Sequence, residues 1–420
     1  MNRAERRRLA KEGRKQKVMP QFMREKLVSS AMQELQGGNL SKADKLFKKL
    51  IKSSPEDPTA LHFAGITKYQ LGLYKEALEL LNQAARVAPN YPEVYNSQGI
   101  VLLEQREYER ARQCFEHAIS LKGNYSNAHA NLGNSLRGLN DFSNACVAYK
   151  TAIQLDPKNS EAIYNLAATL LANNDSAAAL VAADNCLSVD PYCQNASAYK
   201  AIALSQLDRQ ADWKLLYNFD EMIHKTNIEV PKNFESLDNF NTKLVQDIRN
   251  HPTLTWEPLE RVTRGGAVTK DILLKPSKTI SAFKKMLCLA IDEYRNNLPY
   301  DANHPFYSRS PKKYRLTLIA SILKANGRHP PHIHESSWLS GVYYVRIPTE
   351  VNDVSGDKAG WLEFGKPDFV LPEGYVPKTT AIKPEEGAAL FFPSYFFHGT
   401  IPFTGSEERI GIAFDVYPLE

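Results

Sequence analysis

Along the first half of the chain, small, bulky and helix-breaking positions return on one period of 34 residues. Ala43, Ala77, Ala111, Ala145 and Ala179 recur at that spacing, as do Pro55, Pro89, Pro157 and Pro191, with Gly123 in the third place of the series. Another small residue stands in each unit at Ala31, Gly65, Gly99, Gly133 and Ala167. Bulkier partners follow at Phe47, Leu81, Phe115 and Tyr149, with Ala183 the weakest of the series. Small residues on paired helices let the two helices approach closely, and a proline that cannot continue a helix closes each unit. The pattern predicts repeated helical hairpins. After about residue 213 the period disappears, and residues 225–275 show no clear periodicity. A helix is expected over 278–296 (KTISAFKKMLCLAIDEYRN). Beyond Tyr314 the texture becomes β, in RLTLIASIL, WLSGVYYVRI, GWLEFG, GAALFFPSYFF and RIGIAFDV. Turn residues separate these runs at Asn326-Gly327, Pro384-Glu385-Glu386-Gly387 and Thr404-Gly405-Ser406. Short strands closed by turns predict a sandwich or jelly roll.

The 34-residue unit resembles the tetratricopeptide repeat, with five units over about 24–192. A sixth, imperfect unit from NASAYKAIALSQL onward looks like a capping end. The resemblance implies an α-solenoid whose concave face binds a protein or peptide, or else a scaffold or dimerisation arm.

Length and charge narrow the class. With 420 residues the chain exceeds one ordinary core, and 43% hydrophobic and 24% charged residues are normal globular values. The net charge of +5 is partly local to the opening stretch MNRAERRRLAKEGRKQK. That stretch reads as a solvated tail, so a nucleic-acid partner is not expected. No apolar region follows it to make a secretory signal, and no run is long enough for a membrane span. The five cysteines are odd in number and lack CxxC spacing, which points to a reducing, cytoplasmic setting.

The chemistry lies in the histidines. Only ten occur, yet His329, His332 and His334 fall within six residues of one another. In an extended segment residues i and i+2 share a face, so His332 and His334 would converge. His398 follows the apolar run ALFFPSYFF. Two near ligands and a distant third on a β-scaffold suit a non-haem Fe(II) site with one open face. Eleven residues on, Arg409 shares a strand face with Gly411 and Ala413, leaving room for a carboxylate it could grip through two N–H groups.

The segments PHIHESSWLSGVYYV, GWLEFG, FFPSYFFHGTIPF and ERIGIAFDV resemble a bacterial family of 2-oxoglutarate/Fe(II) oxygenases that often carries tetratricopeptide repeats in front. The similarity extends more weakly upstream, to about residue 230. It implies a double-stranded β-helix (jelly roll) with flanking helices, behind the repeat solenoid. It also implies iron held by His332 and His398, 2-oxoglutarate as co-substrate on Arg409, and Tyr344, rather than Tyr343, beside that co-substrate. The chain departs from the wider superfamily in having His332-Ile333-His334 where His-x-Asp or His-x-Glu is usual. Either His334 completes a three-histidine set with His332 and His398, or Glu335 reaches the metal through a local bulge. The expected layout is a basic tail at 1–23, repeats at 24–215, a connector at 216–229 and an oxygenase-like domain at 230–420. Three functions follow. The chain is a 2-oxoglutarate-dependent hydroxylase acting on a protein recruited by the repeats, an adaptor with an inactive or sensory metal module, or a three-histidine dioxygenase without 2-oxoglutarate.

Overall fold

In the computed structural model of the chain, the 34-residue period becomes a series of antiparallel helix pairs. The structure describes residues 20–258, 263–299, 301, 302, 304–352, 357–369, 371 and 374–419. Most of the basic tail lies outside the described residues. The repeat helices are α1 (Gln21–Gln36), α2 (Leu40–Ser53), α3 (Pro58–Gln70), α4 (Tyr74–Val87), α5 (Pro92–Glu104), α6 (Tyr108–Leu121), α7 (Ser126–Gly138), α8 (Phe142–Leu155), α9 (Ser160–Ala172), α10 (Ser176–Val189), α11 (Gln194–Gln206) and α12 (Gln210–Leu216). From α4 onward every helix begins 34 residues after its counterpart, so the sixth hairpin keeps the frame. Chain contacts divide the molecule into two compact units, Met1–Thr169 and Leu170–Glu420.

Within the first unit, the recurring alanines Ala43, Ala77, Ala111 and Ala145 are fully buried. The small-against-large pairing has a direct steric cause. A Cβ on Gly65, Gly99 or Gly133 would meet the side chain of Leu81, Phe115 or Tyr149 at 2.5–2.7 Å, closer than real carbons approach. Hydrogen then occupies the only space available. Helix starts are fixed locally: Asp57 accepts from the Thr59 and Ala60 amides at 3.1 and 3.2 Å, with Pro58 at the first helical position. Between the paired helices the chain passes through a left-handed residue each time, at Gly38, Gly72, Arg106, Asn140, Asn174 and Asp208. Glycine and asparagine accept that conformation readily, and Arg106 and Asp208 hold it at a cost.

The second unit carries α10–α12, short α13 (Phe219–Met222), α14 (Leu237–Arg249), α15 (Lys278–Asn296) and ten strands. The strands are β1 (His224–Asn227), β2 (Thr255–Trp256), β3 (Arg264–Val268), β4 (Lys313–Arg328), β5 (Leu339–Arg346), β6 (Leu362–Phe364), β7 (Thr380–Ile382), β8 (Ala388–Pro393), β9 (His398–Thr400) and β10 (Arg409–Leu419). They form a seven-stranded antiparallel sheet in the order β1-β8-β5-β10-β4-β3-β2 and a three-stranded sheet β7-β6-β9. α15 covers the expected span 278–296. Its Phe283 and Tyr294 rings pack on Tyr343 and Phe391 of the large sheet, at 4.9 and 5.4 Å between centroids.

Two differences from the sequence expectation have physical reasons. Asn326-Gly327 does not end a strand. Asn326 takes a left-handed φ of 61° inside β4, facing a register shift in β3 at Gly265, so this is a bulge and not a turn. And the stretch 225–275 holds α14, whose Phe240, Leu244 and Ile248 are buried at four-residue spacing. That stripe, joined by Val245, is short and is diluted by five polar neighbours. Among the described residues, no helix is long and apolar enough to cross a membrane.

Candidate metal centre

The distant histidine is brought to the near pair by backbone pairing. The His332 amide donates to the His398 carbonyl and the His398 amide to the His332 carbonyl, both at 3.0 Å. Two residues on, the His334 amide donates to the Ser394 carbonyl at 3.1 Å. The 332–334 segment is thus extended but bridged at one residue, not a regular strand. Gly399 permits the approach, since a Cβ there would lie 2.9 Å from the His329 carbonyl. The three imidazoles then face one another, with centroids 4.4 Å (His332–His398), 5.0 Å (His334–His398) and 5.1 Å (His332–His334) apart. Their candidate ligand nitrogens all lie within 4.8 Å of each other. Glu335 is exposed and outside this cluster.

In each ring one nitrogen is committed to the protein. His332 Nδ1 donates to the Pro330 carbonyl at 2.8 Å, His398 Nδ1 to the Phe396 carbonyl at 2.9 Å, and His334 Nδ1 to Asp415 Oδ1 at 2.5 Å. Carbonyls and carboxylates only accept, so each Nδ1 carries a proton, and in the neutral ring Nε2 keeps the lone pair a metal would take. Burial pushes His332 down to about 4 and His398 well below the ordinary imidazole value, and the neighbouring rings add to both shifts. Burial opposes the charged form at His334 too, but Asp415 outweighs it and holds that ring above its ordinary value. Asp415 itself stays below the carboxylate norm despite its burial, held by His334 and by the Ser340 and Ser337 hydroxyls.

The rings open onto a cavity of about 70 Å³ lined from both sheets by, among others, Ser321, Val342, Phe392, Thr400, Arg409 and Ala413. That holds on the order of five waters, the scale of a small dicarboxylate. Arg409 is 2% exposed, yet its Nε has no hydrogen-bond partner, and no ion pair involves it among the described residues. Its guanidinium lies 5.1 Å from the Tyr344 ring centre, and the Tyr344 hydroxyl is likewise buried and unpartnered. Burial lowers Arg409 from its ordinary value and lifts Tyr344 to about 12. Tyr343 points the other way and donates to Asn241 Oδ1 at 2.8 Å. A buried cation with no ion pair and an unpartnered Nε, its one electrostatic neighbour the neutral Tyr344, is costly unless an anion is bound there. Donor set and cavity therefore fit a divalent metal with a carboxylate ligand at its side.

Residues 319–415 match the family described as "Putative 2OG-Fe(II) oxygenase", and 56–124, 126–159 and 148–181 match tetratricopeptide-repeat families. A domain of that oxygenase description thus lies at the C-terminus, after tetratricopeptide repeats. No curated protein matches the chain. Solved structures similar to it include MamA from Desulfovibrio magneticus RS-1, at 20% identity over 40% of this chain and 94% of that one, with a TM-score of 0.37. A Pseudomonas aeruginosa pilF structure is similar at 18% identity, over 46% and 88%, with a TM-score of 0.43. A thermophilic tetratricopeptide-repeat protein of Thermus thermophilus is similar at 24% identity, over 43% and 99%, with a TM-score of 0.38.

Two parts of the oxygenase domain's site escape a reading of the sequence. Asp415 continues the inward alternation Arg409, Gly411, Ala413, a signal that was available but lost in an apolar run. Tyr217, just past α12, is invisible to any motif. Its hydroxyl donates to the Tyr395 carbonyl at 2.8 Å and accepts from the Phe397 amide at 3.2 Å, pinning the turn that presents His398.

Proposed function

We propose that the chain is a 2-oxoglutarate- and Fe(II)-dependent oxygenase that hydroxylates a protein or peptide recruited by the repeats. The observation that carries this reading is the meeting of three converging imidazoles with a buried Arg409 that has no ion pair, in one cavity. His332, His334 and His398 would hold the iron, which when bound supplies dioxygen activation coupled to decarboxylation of 2-oxoglutarate. Arg409 grips the co-substrate's far carboxylate through its fork of N–H donors, and the Tyr344 hydroxyl donates alongside it. The Phe364 and Phe392 rings lie tilted against His398, at 6.2 and 4.7 Å between centroids, and keep water from that side of the centre.

One feature favours a second reading. Without a carboxylate among the three candidate ligands, the set also suits a three-histidine dioxygenase that needs no 2-oxo acid. Incubating the full chain with Fe(II), dioxygen, 2-oxoglutarate and ascorbate, the ascorbate reducing the second oxygen atom to water in place of a substrate, separates the two. The oxygenase reading expects stoichiometric conversion of 2-oxoglutarate into succinate. Iron-loaded protein that forms none supports the second reading.

A further inference from the structure

A facial set with one carboxylate offsets part of the metal's charge through direct ligation. Here the candidate ligands are three imidazoles, and the other ionised group lining the cavity is the Arg409 cation. Charge of one sign would then accumulate in a buried space. The carboxylate in contact with the ligand set stands one ring away. Asp415 is 6% exposed, and its Oδ1 takes three donors: His334 Nδ1 at 2.5 Å, the Ser340 hydroxyl at 2.6 Å and the Ser337 hydroxyl at 3.2 Å. Ser394 Oγ lies 2.8 Å from both serine oxygens and can donate its one proton to Ser340. The strand register fixes the group, since Asp415 pairs with Ser340 on β5 and with Thr317 on β4. A buried carboxylate in mid-sheet, served by two hydroxyls and aimed at one imidazole, is more than an apolar strand needs.

We infer that Asp415 is the positioning residue of the metal centre, supplying through His334 the negative charge that a ligating carboxylate would have provided directly. The inference rests on the proposal above that His332, His334 and His398 hold the metal. His334 is thereby distinguished from its two companions, whose Nδ1 atoms meet neutral carbonyls. A hydrogen-bonded carboxylate makes an imidazole a stronger donor and fixes which nitrogen faces the metal.

The test is Co(II), added alone to the metal-free full chain and followed by its visible ligand-field absorption. Asp415→Asn keeps an acceptor oxygen near His334 Nδ1 but removes the charge. It should bind Co(II) about 10- to 100-fold more weakly than wild type, with shifted bands. A merely structural role would lower the melting temperature and leave affinity and band positions alone, and that result overturns the inference. Ser340→Ala, which removes one donor to Oδ1, gives a second route if the first variant does not fold. It should weaken Co(II) in the same direction by a smaller factor, and unchanged affinity and spectrum there also overturn the role of Asp415. Wild type that binds no Co(II) overturns the metal centre itself, and Asp415 with it.

Discussion

At the scale of single residues, the centre is ordered by what each Nδ1 touches. Two rings are held by carbonyls two residues before them in sequence, so their orientation is set by their own turns. The third is held across the fold by Asp415. Removing one ring should therefore empty the site without unravelling it. His398→Ala is expected to keep the circular dichroism spectrum of the wild type while its iron, measured by elemental analysis after anaerobic loading, falls from one per chain to almost none. Retained iron would take His398 out of the site. The histidines were legible because two of them are adjacent in an extended segment and the third follows an apolar strand. Tyr344 could be told from Tyr343 by alternation alone, and the two do face opposite sides of β5. Asp415 was less legible, because a lone acid in an apolar strand says nothing of the imidazole opposite. That pairing is made by β-register across 81 residues of chain.

At the scale of elements, the repeat was readable because its constraint is local and steric. Gly99 lies under the Phe115 ring, whose carbons a Cβ would meet at 2.5–2.8 Å. Gly99→Ala should destabilise the full chain by about 1–3 kcal/mol through overpacking. Phe115→Leu in that background should recover part of the loss, read from urea midpoints by far-UV circular dichroism. Equal and additive losses in the two single variants would mean that the small-large pairing does not set the packing. The elements that were less legible are those whose pattern is short. α14 carries its apolar stripe on Phe240, Leu244, Val245 and Ile248 within nine residues, and β1–β3 are five residues or fewer. Asn326-Gly327 misled because a left-handed residue serves a bulge as well as a turn.

At the scale of the whole molecule, periodicity describes how a hairpin folds and not what it packs against. α11 and α12 keep the 34-residue frame, yet they lie in the compact unit of the oxygenase fold. Tyr199 packs on Phe369 and Phe397, and Tyr217 lies 4.5 Å from the Phe396 ring, two residues before His398. The last repeat hairpin thus helps to hold the turn that carries a candidate ligand. The domain limits at 215 and 230 remain a proposal, and these contacts favour keeping the hairpin with the β-fold in any shortened chain.

Iron on the three histidines and 2-oxoglutarate on Arg409 should share one cavity. Anaerobic titration of 2-oxoglutarate into the Fe(II)-loaded full chain checks this claim through the visible metal-to-ligand charge-transfer absorption. Wild type should develop the band and saturate. Arg409→Ala should bind the same iron but need about 10- to 100-fold more 2-oxoglutarate, the equivalent of a charge-assisted pair worth roughly 1.5–3 kcal/mol. Arg409→Lys should recover only part, because an ammonium keeps the charge and loses the fork. Iron-loaded wild type that shows no band at any 2-oxoglutarate concentration would contradict the claim.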